Sequence, residues 1–191
     1  MHPSHAIQSG IGLGLVASLL LRPNTTVIAT IRNRETSATA LNALPNDASS
    51  KLIVAILSSA SDTDAAMMMD KIAEQGITHL DTIIANAGVG EKFESCLEEI
   101  VDELRRCFEV NTLGPIKLFQ ATHPLLKKAK EPKFIFITSS LGSIGAMANI
   151  LPESGHLEYG VSNAAANYFV RKVHFEHEHI TAVAVHPGCV Q

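Results

Sequence analysis

The chain has 191 residues, 46% apolar and 18% charged, which suits the core of one α/β domain and is too short for two ordinary ones. A net charge of −4 argues against a nucleic-acid partner, which needs a basic face. The longest apolar run, residues 11–21, falls short of the roughly 20 residues that span a bilayer.

Taken in chain order, two hydrophobic periods alternate. A helix is expected over 11–22, opened by glycines at 10, 12 and 14, and a β-branched strand follows at 26–30. Residues 34–44 read as a helix stopped by Pro45, 51–57 as a strand, and 62–75 as a helix capped by Asp62 and closed by Gly76. A strand at 80–85 leads into a helix over 94–109, acidic at its start and basic at its end, as the helix dipole favours. A further helix at about 112–129, a strand at 133–138, a helix at about 159–178 and a strand at 180–185 complete the pattern. The strands are continuous in apolarity, as parallel strands buried on both faces should be. Strands alternating with such helices imply right-handed βαβ units and a doubly wound parallel sheet of Rossmann type with helices on both faces. Residues 1–191 are expected to form one domain.

Bland readings suffice for three features. The basic run at 127–133 is a solvated helix end, and Met67, Met68 and Met69 are core filler. His174, His177 and His179 are split around a helix by their spacing, so no metal site is expected there. Three cysteines, Cys96, Cys107 and Cys189, lack paired spacing and read as reduced, buried thiols of a cytoplasmic protein.

Chemistry-bearing residues fall where strands end. Gly10, Ile11 and Gly12 open the first helix, where a bare backbone and free amide donors suit a pyrophosphate. Asn86 and Gly88 follow the third strand, Ser139 ends the fourth, and Pro187 and Gly188 follow the last. Asn111 lies in a long helical region and Tyr159 opens a helix. Open parallel sheets bind ligands at these carboxyl ends.

In this order the motifs resemble those of the short-chain dehydrogenase/reductase family, in particular fungal carbonyl and ketoreductases of polyketide-like secondary metabolites. The resemblance runs from Gly10 to Gln191. It implies hydride transfer between a nicotinamide cofactor and the carbonyl of a small-molecule substrate, and possible homo-oligomers through the two long helices. It also implies roles for single residues. Tyr159 matches the proton-donating tyrosine, Ser139 the serine that orients the carbonyl, and Asn111 the structural and proton-relay asparagine. Asn86 and Gly88 sit in the NAG motif beside the adenosine ribose, while Pro187, Gly188 and Val190 match the turn beside the nicotinamide. Arg32, with no acid before Glu35, suits the 2′-phosphate of NADP(H) where an acid would select NAD; NAD is not excluded.

Four departures from the family pattern qualify this expectation. Asn163 stands where the YxxxK lysine belongs; it can still bond the nicotinamide ribose but carries no charge to lower the Tyr159 pKa. Ala6 replaces the first glycine of the TGxxxGxG turn, and the stretch before it leaves room for at most a stub of the central first strand. Ser58 replaces the aspartate that contacts adenine, a weaker acceptor than a carboxylate. The pattern ends three residues after Gly188, without the family's substrate-side elements. Two functions are therefore expected: an NADPH-dependent reductase, impaired in its acid–base step, or a catalytically degenerate relative with a non-redox or binding role or a truncated gene product.

Overall fold

The computed structural model describes residues 10–33, 35, 38–90, 96–97, 101–149 and 155–188. Helix α1 (Gly10–Leu20) precedes β1 (Thr26–Ile31), the short α2 (Thr39–Asn42) and β2 (Lys51–Ile56). Next come α3 (Asp64–Glu74), β3 (Thr82–Ala85) and α4 (Val101–Phe108). A π-helical turn, Glu109–Leu113, joins α4 to α5 (Gly114–Leu126). The strand β4 (Lys133–Ile137), α6 (Leu157–Glu176) and β5 (Thr181–Val185) complete the order.

All strand pairs are parallel, as βαβ connections require. They form two sheets, β1-β2 and β3-β4-β5, with no ladder between β1 and β3 among the described residues. The expected central first strand would precede α1, and residues 1–9 lie outside the described residues.

Each sheet has its own core. Val16 and Leu20 of α1 pack with Val27, Ala29 and Leu41 against the first sheet. In the second, Phe134 and Phe136 alternate onto the face covered by α5 and α6, where Phe119, Leu126, Val170 and Val173 meet them. Phe119 stands edge-on to Phe134, with ring centroids 5.1 Å apart, the geometry that ring quadrupoles favour. Burial on both faces does not hold throughout. Val183 and Val185 of β5 point to the opposite face and are 40% and 41% exposed.

Several boundaries differ from expectation. Asp62 does not cap α3; Thr63 takes that place. Of the expected 34–44 helix only Thr39–Asn42 is helical among the described residues, with positions 34, 36 and 37 outside them. Cys96 and Leu97 form a turn rather than helix. His177 and His179 follow the end of α6, and the His177 ring meets that of His123 at a tilt of 53°, with centroids 4.9 Å apart. Of the methionines, Met68 is buried and Met67 exposed. Cys107 is buried, Cys96 is exposed, and Cys189 lies outside the described residues.

Candidate active site

The carboxyl ends of β1, β2 and β3 and the wall of α4 and α5 enclose a cavity of about 290 Å³. One wall comes from Thr30, Ile31 and Arg32 at the end of β1, Leu57 to Ser61 after β2, and Ile84 to Val89 at and beyond the end of β3. Asn86, Gly88, Ser58 and Arg32 are thus brought together, though they are distant in sequence. Arg106, Val110, Gly114, Pro115, Lys117 and Leu118 close the other side. Three cationic side chains line the cavity, and among the described residues no carboxylate does. Arg106 is paired with Glu103 at 2.9 Å, and Lys117 with Asp62 and Glu109 at 2.7 and 2.6 Å.

Sequence reading missed Arg106 and Lys117. Their spacing of eleven residues, about three helical turns, was the available signal.

Asn111 sits in the π turn, 2% exposed. Its Oδ1 accepts from the Val89 N–H at 2.8 Å, while its Nδ2 donates to the Val89 carbonyl at 2.8 Å and to Ser162 Oγ at 2.9 Å. Ser162 Oγ in turn donates to the Tyr159 carbonyl at 3.1 Å. One side chain therefore braces the turn after β3 against the first turn of α6.

The Ser139 segment is seated on that same turn of α6. Ser139 Oγ caps a 3-10 turn by accepting from the Leu141 N–H at 3.2 Å. Gly142 allows the approach: a Cβ there would lie 2.8 Å from Asn163 Cβ. Asn167 Nδ2 donates to the Gly142 carbonyl at 3.2 Å. Gly90 approaches Tyr159 from the other side, where an added Cβ would lie 2.5 Å from the ring. Ser139, Tyr159, Asn111 and Asn163 are thus gathered around the start of α6.

Asn163 is 3% exposed and its amide is used at both ends. Thr138 Oγ1 donates to its Oδ1 at 3.2 Å, and its Nδ2 donates to the Tyr159 carbonyl at 2.9 Å. Burial pushes the Tyr159 phenol above its ordinary pKa; the Asn163 side chain offsets part of this, and the Cys107 thiol adds to it. The tyrosine is a weak acid here, as an uncharged residue at position 163 implies.

None of Asn111, Ser139, Tyr159 and Asn163 lines the 290 Å³ cavity, and neither do the remaining expected residues. Gly10, with φ of +58°, begins α1, followed by half-buried Ile11 and buried Gly12, and none of the three lines it. Pro187 and Gly188 are exposed beyond β5, with Gly188 at φ +80°. Val190 lies outside the described residues.

Residues 6–191 match the model of the short chain dehydrogenase family. The chain belongs to that family. Norsolorinic acid ketoreductase of Aspergillus parasiticus is 39% identical over 184 residues, covering 95% of this chain and 68% of the relative. A short-chain dehydrogenase of Pyricularia oryzae is 39% identical over 189 residues, covering 96% and 74%. Among solved structures, the NADPH-bound carbonyl reductase from chicken fatty liver superposes with a TM-score of 0.80 at 28% identity, covering 94% of this chain and 72% of that one. These relatives make the chain a short-chain oxidoreductase with the fold of the Rossmann carbonyl reductases. No helix among the described residues is long and apolar enough to cross a membrane.

Proposed function

We propose that the protein is an NADPH-dependent carbonyl reductase of a polyketide-like aromatic ketone. The observation that carries this reading is the position of Arg32, at the carboxyl end of β1 and on the wall of a cavity without a lining carboxylate among the described residues. An arginine there suits a 2′-phosphate, which an acid would repel. Among the described residues, Arg106 and Lys117 face carboxylates, which favours Arg32 as the phosphate ligand. Kinship with a ketoreductase of norsolorinic acid supports the substrate class.

In this reading the adenosine half lies between Ser58 and the Asn86–Gly88 turn, Gly10, Ile11 and Gly12 face the pyrophosphate, and Asn163, Pro187, Gly188 and Val190 flank the nicotinamide half. NADPH supplies the hydride. Ser139 Oγ donates a hydrogen bond to the carbonyl oxygen, where negative charge develops. The Tyr159 phenol gives that oxygen its proton, a step slowed by the raised pKa. Asn111 holds the first turn of α6 in place through Ser162. The whole chain acts as one nucleotide-binding domain. Val161, Tyr168 and Phe175, exposed at seven-residue intervals on α6, support pairing of two copies along that helix. The free thiols of Cys96 and Cys107 fit a cytoplasmic setting.

Titration of the purified chain with NADPH and NADH tests the reading. Wild type should favour NADPH by about 10- to 100-fold, the worth of one charged hydrogen bond, and Arg32→Glu should abolish that preference. Equal affinity for both nucleotides in the wild type would overturn it.

A further inference from the structure

Among the described residues, the loop after β2 and helix α5, which face each other across the cavity, are joined by direct contacts. The wall after β2 is ordered from within. The Asp64 carboxylate accepts from the Ser58 N–H at 2.9 Å and from Ser61 Oγ at 2.6 Å, and Ser61 Oγ accepts from the Asp64 N–H at 3.1 Å. This folded loop meets α5 at two points. At Gly114 an added Cβ would lie 2.8 Å from Ser59 Cβ, so the backbone itself is against the loop. One turn further on, Lys117 Nζ lies 2.7 Å from Asp62 Oδ1 on the loop and 2.6 Å from Glu109 Oε1 in the π turn.

Glu109 belongs to the turn that also carries Asn111, whose amide holds Val89 after β3. The Lys117 ammonium therefore links the end of β2 to the segment that braces the end of β3. Its charge is already met by two carboxylates, so it adds little net positive potential to the cavity. Asp62 and Lys117 each stabilise the other's charged form, Asp62 being held below its ordinary pKa and Lys117 above it.

We infer that Asp62, Lys117 and Glu109 form a clasp that sets the aperture of the cavity, with Lys117 a positioning residue for the bound nucleotide and not a ligand of its phosphate. The inference rests on the reading that this cavity takes the adenosine half of NADPH.

Three variants decide it: Lys117→Met, Lys117→Arg and Asp62→Asn, each compared with wild type by NADPH titration, steady-state kinetics and amide hydrogen exchange without nucleotide. Loss of the clasp should weaken NADPH binding about 5-fold, the upper range for a partly exposed ion pair. It should raise the KM for NADPH and leave kcat unchanged. Exchange at residues 58–61 should accelerate in both Lys117→Met and Asp62→Asn, and Lys117→Arg should restore all three readouts.

The Asp62→Asn result separates the two roles of the lysine. If Lys117 were a phosphate ligand, removing one of its two carboxylate partners would leave the ammonium less neutralised and tighten NADPH binding; that outcome overturns the clasp. Unchanged exchange at residues 58–61 overturns it as well. Wild type that fails to bind NADPH refutes the nucleotide reading of the cavity instead, and exchange without nucleotide still decides the clasp.

Discussion

Converting Asn163 to lysine tests how Tyr159 is poised. In the wild type both ends of the Asn163 amide are occupied, by Thr138 and by the Tyr159 carbonyl, at a position 3% exposed. Burial raises the phenol pKa above its ordinary value, with only a neutral amide to oppose it. An ammonium about 4–5 Å from the phenolate would contribute roughly 3–4 kcal/mol at an effective dielectric of about 20. That lowers the pKa by roughly 2–3 units. In the oxidative direction the phenolate accepts the proton, so activity rises with the phenolate fraction below the Tyr159 pKa and levels off above it.

Initial rates of NADP⁺-dependent oxidation of an aromatic secondary alcohol should be measured from about pH 6 to pH 10.5. Wild-type rates should climb tenfold per pH unit without reaching a plateau by about pH 10, the ordinary tyrosine pKa. Asn163→Lys should reach its plateau roughly 2–3 units lower and gain on the order of 10²–10³ in rate at neutral pH. Two lost hydrogen bonds should cost about 1–3 kcal/mol of stability. A variant that melts cooperatively, binds NADPH and shows the wild-type pH profile would refute the argument.

Gly142→Ala places a Cβ 2.8 Å from Asn163 Cβ and 2.9 Å from its carbonyl carbon. Overpacking of about 1–3 kcal/mol should lower Tm by about 3–10 °C for a chain of this size; a shift under about 1 °C in a thermal melt would show that the Ser139 segment yields easily. His123 is held below its ordinary pKa, first by burial and then by His177, Lys127 and His179. The unfolded chain therefore takes up a proton first, so stability present above about pH 6.5 is lost as pH falls through that value. His123→Phe should flatten this acid limb in denaturant titrations at pH 5 and pH 7; an unchanged limb would locate the acid sensitivity elsewhere.

The strands were the most legible part of the fold. Residues 51–57 were expected and Lys51–Ile56 is observed, because a continuous apolar run of that length has few other options. Helix ends were less legible. Asp62 resembled a cap in sequence but its carboxylate is drawn to Lys117, a partner on another helix. The π turn at Asn111 was illegible for a similar reason. Its amide bonds to Val89 and Ser162, residues 22 and 51 positions away, and local periodicity does not report such contacts. Motif order pointed to Ser139, Tyr159 and Asn163, which meet at the start of α6. The cationic wall was not foreseen because Arg106 and Lys117 read as ordinary helix-surface residues until the strand ends faced them.

The bracing by Asn111 has a structural consequence of its own. A carboxamide has the same donor and acceptor as a peptide group, and here it faces both the N–H and the C=O of Val89. In effect the side chain stands in for one residue of a neighbouring strand. It satisfies a turn just beyond the end of β3, where chain polarity would otherwise need water or another backbone. Aspartate offers no donor for the carbonyl, and glutamine would carry the same amide one methylene too far. The turn after β3 is therefore tied to the identity of a single residue 22 positions downstream.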